Sequence, residues 1–238
     1  MTKKIVPFLS FIFLVSCSAP SDHRILGAKE WGFPGEKTQI LLDAKIDKLQ
    51  IRHVRLDEEE CVSGYEEIIE IAGEIGPDST EAIKRLLPQL HHCIKKSDGR
   101  RASNSVYLSS RGGLLSDGFE MGRIFRKHEV STIITGWQVC ASSCAIAFLG
   151  GKYRSMYHEG KLMFHAPYTT DGLRSVYGGL SIDCSDRGQV KDLGNYYNSV
   201  LDDKTGNYLL KRTMSYCSSS DGWVLNADGA KLLGLLTN

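Results

Sequence analysis

The sequence predicts an α/β fold in which most strands of the sheet run parallel. Segments with strand and helix patterns alternate along the chain from residue 66 onward. Successive strands are about thirty residues apart, the length of a strand followed by a crossover helix. Such crossovers are right-handed and place consecutive strands parallel in one sheet. With 238 residues, 42% of them hydrophobic, the chain has the size and composition of one folded domain.

Short runs rich in β-branched and aromatic residues, bounded by turn-forming residues, predict the strands. Ile68–Ile75 is the clearest of them, since it is rich in isoleucine and ends at the Gly76-Pro77 turn. The predicted strands are, in chain order, Gln39–Leu42, Leu49–Leu56, Ile68–Ile75, Ser105–Ser109, Val130–Ile134 and Leu162–Phe164.

Apolar residues at helical spacing predict the helices between these strands. The first helix begins near Asp78, where Glu81 follows three residues later as in a capping box. The other predicted helices are Asp117–His128, Ser142–Leu149, one or two helices within Gln189–Met214, and Ala227–Leu236.

The overall charge gives no reason to expect nucleic acid or an anionic surface as a partner. The formal net charge is +1, with 29 Lys and Arg residues against 28 Asp and Glu residues. The longest run of like charges, Asp57–Glu60, is expected to be a solvated turn.

The first seventeen residues predict an export signal with a lipid attachment site. Lys3 and Lys4 form a basic start, and the apolar run Ile5–Val15 is too short to span a bilayer comfortably. The run ends in Leu14-Val15-Ser16-Cys17, which resembles the lipobox of bacterial lipoproteins, so the thiol of Cys17 is expected to carry the lipid. An ordinary signal peptide cut after a small residue, or a buried N-terminal strand, is the alternative.

The segment after Cys17 predicts the location and the domain organisation. Ser18, rather than an aspartate, follows the cysteine, and by resemblance to sorted lipoproteins of Gram-negative bacteria this implies the outer membrane, facing the periplasm. Residues 18–37 are rich in Gly, Pro, Ser and charge and are expected to be a tether. Residues 38–238 are expected to form a single domain with its core in residues 66–238.

The remaining cysteines are even in number, which in an exported protein predicts disulfides. Six cysteines allow fifteen pairings, and their spacing does not choose among them. Cys140 and Cys144 are expected either to form a disulfide or to stay reduced and buried. The spacing contains no convincing zinc-binding cluster, so no metal is expected. The six are Cys61, Cys93, Cys140, Cys144, Cys184 and Cys217.

Three segments contain residue types that serve acyl transfer. Tyr107–Gly113 is a strand that runs into two glycines, which either bring the backbone close to a ligand or make a tight turn. Gly136–Ala145 leads into an apolar helix with Ser142 at its start, where a serine either caps the helix or attacks beside the helix N-terminus. His165, at the end of a strand, is either a hydrogen-bonded structural residue or a general base.

Together these segments resemble the proteolytic subunit of Clp proteases, whose fold group includes the crotonases, and more closely its exported bacterial relatives carrying Cys-Ala-Ser-x-Cys. Ser110-Arg111-Gly112-Gly113 is similar to the family's Ser-Pro-Gly-Gly loop, with Arg in place of Pro. Ser142 matches the nucleophile, and Met163–Pro167 matches the strand that carries the catalytic histidine. The resemblance covers about residues 66–238 and implies a spiral of β-β-α units with a mostly parallel sheet.

The resemblance implies a serine peptidase that acts on a peptide or protein substrate without a cofactor. His165 is expected to remove the proton from Ser142, and the backbone amides of Gly112 and Ser143 are expected to hold the oxyanion. Ser143 is a rival nucleophile, but Ser142 is preferred because the following helix then aligns with the family without a gap.

The sequence departs from the family at the third catalytic residue. The family has an aspartate at the position of Gly222, and Asp221, one residue away, can take that role if the loop shifts. A catalytically degenerate binding or assembly module is therefore the alternative function. A crotonase-like acyl-thioester enzyme is a third possibility, against which the export signal argues. Relatives assemble into rings or smaller oligomers, so a homo-oligomer is expected.

Overall fold

The computed structural model of the chain describes residues 38–170 and 182–237. The predicted signal peptide with Cys17 and the predicted tether lie outside the described residues. The strands are β1 (Thr38–Ile46), β2 (Leu49–Asp57), β3 (Tyr65–Ile75), β4 (Ser105–Gly113), β5 (Ser131–Ile134), β6 (Val139–Ala141), β7 (Tyr153–Met156), β8 (Lys161–Phe164), β9 (Thr169–Thr170), β10 (Ile182–Asp183) and β11 (Trp223–Leu225). The helices are α1 (Pro77–Leu86), α2 (Leu115–Lys127), α3 (Ser143–Leu149), α4 (Arg187–Val200), α5 (Asp203–Met214) and α6 (Ala227–Leu232).

The central strands confirm the α/β class and the mostly parallel sheet. β3 pairs with β4, β4 with β5, and β5 with β7, each pair in parallel. The antiparallel hairpin of β1 and β2 extends the sheet beyond β3. The parallel pairs follow from helical crossovers, because α1 and α2 each return the chain to the start of the next strand.

β4 branches, so that the sheet divides into two parts. Its first half pairs with β5 at Tyr107, whereas Ser110 near its end pairs with Cys140 of β6. From β6 the second part continues in parallel to β8 and then in antiparallel to β11. The strands β5 and β6 and the helix α3 follow one another along the chain and thus form one β-β-α unit.

Glycines bring α2 and α3 unusually close together. A Cβ atom built on Gly118 would lie 2.7 Å from the Cβ of Ser143, and one on Gly150 would lie 2.1 Å from the carbonyl oxygen of Gly122. Every residue of α3 is buried, which agrees with its apolar sequence. α3 is therefore the central helix, and its N-terminus is held in place from several sides.

The structure pairs the six cysteines as three disulfides. Cys61 is bonded to Cys93, Cys140 to Cys144, and Cys184 to Cys217. The sequence predicts disulfides without their pairing, and for Cys140 and Cys144 it allows either a disulfide or two buried thiols. The structure has the disulfide.

The remaining differences from the sequence expectations concern the lengths of some elements and several very short strands. The first two strands are nine residues each, and Gln189–Met214 divides into α4 and α5 around Leu201 and Asp202. The strands β6, β7, β9, β10 and β11, which have only two to four residues each, were not predicted from the sequence. Among the described residues, no helix has the length and apolarity needed to cross a membrane.

Candidate active site

Ser142 lies on the tight turn that connects β6 to α3. Its backbone has φ 55° and ψ −126°, a left-handed conformation that is uncommon for residues other than glycine. Its amide donates a hydrogen bond to the carbonyl oxygen of Met163 on β8, at 2.9 Å. Because such a conformation persists only where the surroundings impose it, it often marks a functional residue.

The two adjacent serines face different surroundings. Ser142 is half-buried and lines a cavity, whereas Ser143 is 1% exposed and packs against Gly118 of α2. The hydroxyl of Ser143 is buried and has no hydrogen-bond partner among the described residues. This geometry favours Ser142 over Ser143 as the residue that a substrate can reach.

The Cys140–Cys144 disulfide closes the turn that carries Ser142. Cys140 belongs to β6 and Cys144 to the first turn of α3, and both are fully buried. The disulfide therefore joins the end of the strand to the start of the helix on either side of the serine, and it limits the conformations that the turn can take.

Gly112 brings the end of β4 against Ser142. It has φ 106°, and a Cβ atom on Gly112 would lie 2.7 Å from the Cβ of Ser142 and 2.8 Å from the carbonyl oxygen of Ala141. Only glycine permits this approach. The amide of Gly112 donates a hydrogen bond to the hydroxyl of Ser110 at 3.0 Å, so in the free protein this donor already has an acceptor.

His165 follows β8 and has a defined tautomer. Its Nδ1 lies 2.8 Å from the carbonyl oxygen of Ala166, and a carbonyl oxygen only accepts, so Nδ1 carries the proton. In the neutral ring Nε2 then holds the free lone pair. The amide of Ala166 donates to the carbonyl oxygen of Tyr216 at 2.9 Å, which fixes the backbone beside the ring.

One cavity of about 980 Å³ is lined by both Ser142 and His165. Among the described residues no hydrogen bond joins the Ser142 hydroxyl to the His165 ring; in free enzymes catalytic hydrogen bonds are often long and shorten when substrate binds. Its lining is mixed, with charged side chains such as Arg111 and Asp192 beside apolar ones. Lys48 Nζ, also in the lining, pairs with Glu74 Oε2 at 3.0 Å. The apolar lining includes Leu115, Phe119, Ile146 and Leu193.

Asp221 and Gly222 lie on the segment that leads into β11. Asp221 is exposed, and its Oδ1 accepts a hydrogen bond from the amide of Gly222 at 2.8 Å. A Cβ atom on Gly222 would lie 2.8 Å from the carbonyl oxygen of Phe164 and 2.9 Å from Cγ of Met163. The position where the family carries an aspartate therefore has no room for a side chain unless neighbouring atoms move.

Two contacts at the candidate site could not be predicted from the sequence. The carbonyl oxygen of Ala166 accepts from Nδ1 of His165 and so fixes its tautomer. The hydroxyl of Ser110 accepts a hydrogen bond from the amide of Gly112. Both involve backbone atoms, which no residue pattern reveals. Within the described part of the chain, no group of three or more His, Cys, Asp or Glu side chains is arranged to hold a metal ion.

Comparisons with known proteins give likenesses to solved structures. No family model matches the chain, and no curated protein matches it. Among solved structures, a point mutant of ClpP1 from Listeria monocytogenes is similar, with a TM-score of 0.49 and 16% sequence identity. The match covers 70% of this chain and 86% of that chain.

Proposed function

We propose that the chain is a cell-envelope lipoprotein that hydrolyses peptide bonds, with Ser142 as nucleophile and His165 as its base. The observation that carries this proposal is that Ser142 and His165 line one cavity. Ser142 has a positive φ, and the Nδ1–H of His165 already donates to the carbonyl oxygen of Ala166. Nε2 is then the nitrogen available to accept the serine proton. The apolar part of the wall suits a peptide side chain next to the scissile bond.

The reaction proceeds in two acyl transfers. Nε2 of His165 takes the proton from Ser142 as the hydroxyl oxygen bonds to the substrate carbonyl carbon. The same proton passes to the departing amine, which leaves an acyl group on Ser142. Water then attacks this ester with His165 again as base, which releases the acid and restores the serine.

The oxyanion of each tetrahedral intermediate needs donors near Ser142. The amide of Ser143 is at the first position of α3 and has no acceptor within the helix. The amide of Gly112 is the second proposed donor. Its hydrogen bond to the Ser110 hydroxyl must break before it can donate to the oxyanion. Each donor of this kind typically lowers the barrier by about 3 kcal/mol.

Asp221 remains the proposed third member of the site, conditional on a shift of its turn. In the structure the Ala166 carbonyl, not a carboxylate, accepts from Nδ1 of His165. If this carbonyl suffices, Asp221→Asn changes the rate of acylation less than tenfold; loss of an orienting aspartate typically costs about 10⁴-fold.

A fluorophosphonate probe tests the proposed nucleophile directly. We expect the purified chain to be labelled on Ser142, as mapped by mass spectrometry, and the Ser142→Ala variant to remain unlabelled. His165→Ala should slow labelling at least about a hundredfold, the usual contribution of a general base. Ser116→Ala, which changes another serine of the same cavity, is the matched control and should be labelled at the normal rate.

The alternative function is a peptide-binding module on the same cavity. It is favoured by the amide of Gly112, which is occupied by Ser110, and by Gly222 at the aspartate position. An unlabelled chain that still binds apolar peptides, measured by fluorescence anisotropy, would select this alternative. Labelling that persists in Ser142→Ala would contradict the proposed nucleophile.

The proposed location and assembly are tested separately. Lipidation of Cys17 predicts incorporation of labelled fatty acid and recovery with the outer membrane, both lost in Cys17→Ala. Sedimentation of the purified chain tests the proposed homo-oligomer.

A further inference from the structure

A second concave surface lies at the sheet edge opposite the candidate active site. Gly112, Ser142 and His165 lie at or after the carboxyl ends of β4, β6 and β8, whereas Ser131 and Tyr153, at the amino ends of β5 and β7, line this second surface. It encloses about 750 Å³ and shares no lining residue with the first cavity. We call it the basic groove.

The basic groove has an excess of positive charge. Both lining carboxylates already have partners, since Asp98 lies 2.6 Å from Arg100 and Glu129 lies 2.8 Å from Lys152. In the part of the chain that the structure describes, no carboxylate lies within 4.0 Å of Arg101 or Lys127. The charged lining consists of Lys95, Arg100, Arg101, Lys127 and Lys152 against Asp98 and Glu129.

Arg101 is held in the groove by a neutral group. Its Nη2 contacts Nε2 of His92, and because a guanidinium only donates, the imidazole nitrogen must accept. His92 is therefore neutral in this contact and supplies no counter-charge to Arg101. Nδ1 of His92 is buried and has no hydrogen-bond partner among the described residues.

Burial and the nearby positive charges both disfavour protonation of the two histidines of the groove. Burial lowers the pKa of His92, and the nearby Arg101 lowers it further. Burial likewise lowers the pKa of His128, with Lys127 and Arg101 acting in the same direction. Added positive charge is thus disfavoured here, whereas an anion between these groups would be attracted.

We propose that the basic groove binds a ligand that bears a phosphate or sulfate ester. Arg101 and Lys127 are the proposed charged donors. Ser103 and Ser131 line the same groove, and their hydroxyls are the proposed neutral donors. A tetrahedral oxyanion offers several acceptors and matches both kinds of donor. The groove is independent of the proposed peptidase chemistry, because it shares no residue with that site.

Calorimetric titration of the full chain in nonionic detergent tests the proposal. Inorganic pyrophosphate is the free-anion probe, and micelles containing phosphatidylglycerol are the headgroup probe. We expect saturable binding that weakens at least about tenfold in the Arg101→Ala/Lys127→Ala double variant, the effect of losing charge-assisted hydrogen bonds. The Lys204→Ala/Lys231→Ala variant, which removes two exposed lysines outside the groove, should bind normally.

The two probes distinguish the sources of the ester. Saturable pyrophosphate binding supports a small free ligand, and tighter binding to phosphatidylglycerol than to phosphatidylcholine micelles supports a lipid headgroup. Absence of saturable binding to both probes, or an equal loss in the control variant, would overturn the proposal. Lys127→Gln, a single change at an exposed position, repeats the test with a several-fold loss expected even if the double variant misfolds.

Discussion

The left-handed backbone of Ser142 costs on the order of 1–3 kcal/mol, which the surrounding structure must supply. The Cys140–Cys144 disulfide and the bond from the Ser142 amide to Met163 are the two local restraints on the turn. The disulfide encloses few residues, so its contribution to global stability is modest. Its main effect is expected on the geometry of the proposed nucleophile.

Replacing both cysteines of this turn should therefore impair acylation even in the molecules that remain folded. We expect Cys140→Ala/Cys144→Ala to slow fluorophosphonate labelling at least about tenfold, since small misplacements of reacting atoms cost one to two orders of magnitude. The free energy of unfolding, measured in urea, should fall by about 2 kcal/mol. This is the entropic stabilisation expected from closing so short a loop in the unfolded chain.

At the residue scale the sequence predicted the side chains but not their partners. Ser142 and His165 follow from motif order and spacing, and the structure brings both to one cavity. The tautomer of His165 depends on the backbone carbonyl of Ala166, and the amide of Ala166 is bonded to the carbonyl oxygen of Tyr216. The bond to Tyr216 joins segments about fifty residues apart in the chain and forms only in the folded molecule.

Among the elements, the contact between α2 and α3 decides where Ser142 and Ser143 lie. Gly118→Ala should lower the free energy of unfolding by about 1–3 kcal/mol through overpacking, although alanine is the better helix former. Labelling of Ser142 should slow as well, because the new methyl group presses on Ser143. Chemical denaturation and probe kinetics measure the two effects.

The matched control is Gly194→Ala in α4. A Cβ atom on Gly194 would lie 3.0 Å from a terminal methyl group of Leu210, which can rotate away. We expect a change in the free energy of unfolding of less than about 1 kcal/mol. Equal losses in the two variants would mean that the α2–α3 contact has no special importance.

β3 carries a carboxyl group that links stability to pH. Glu70 is 2% exposed, and burial raises its pKa from the ordinary 4.5 to about 7, although Arg52 lies 3.7 Å away. Since ionisation is disfavoured in the folded state, the stability present below pH 4.5 is lost as pH rises toward 7. The loss amounts to no more than about 3 kcal/mol.

Glu70→Gln tests this linkage. The variant should show a clearly smaller decline in unfolding free energy between pH 4.5 and 7, measured by urea denaturation at several pH values. Glu74→Gln, at an exposed glutamate of the same strand, should keep the decline. A decline of the same size in the Glu70→Gln variant would assign it to another group.

The elements were predicted well where the apolar pattern is long. α2, α3 and β3 lie within a few residues of their predicted bounds. β6 was missed because Val139–Ala141 is three residues long and its pairing with β4 and β8 is not local. Tertiary contacts, not local propensity, define such strands.

For the whole molecule, net charge and charge distribution lead to different conclusions. A formal charge of +1 gives no hint of the basic groove, whose cations come from three separate segments of the chain. Disulfide pairing is likewise a property of the folded molecule, since six cysteines allow fifteen pairings. Neither the basic groove nor the disulfide pairing could be predicted from the sequence.

The Cys61–Cys93 disulfide is expected to act on global stability alone. It joins residues 32 positions apart, so Cys61→Ala/Cys93→Ala should lower the free energy of unfolding by about 4 kcal/mol. Neither cysteine lines the first cavity, so the folded fraction should label at the normal rate. A slowed rate in the folded fraction would show that this disulfide also shapes the proposed active site.

The outer strand of the hairpin is the edge at which concentrated samples of the protein are expected to aggregate. Among the described strands, β1 pairs only with β2, and Ile40 and Leu42 on it are 55% and 41% exposed. An unpaired apolar edge of this kind invites another strand to add to it. Storage at low concentration, or a lysine introduced as a gatekeeper at Leu41, should therefore keep preparations free of aggregate.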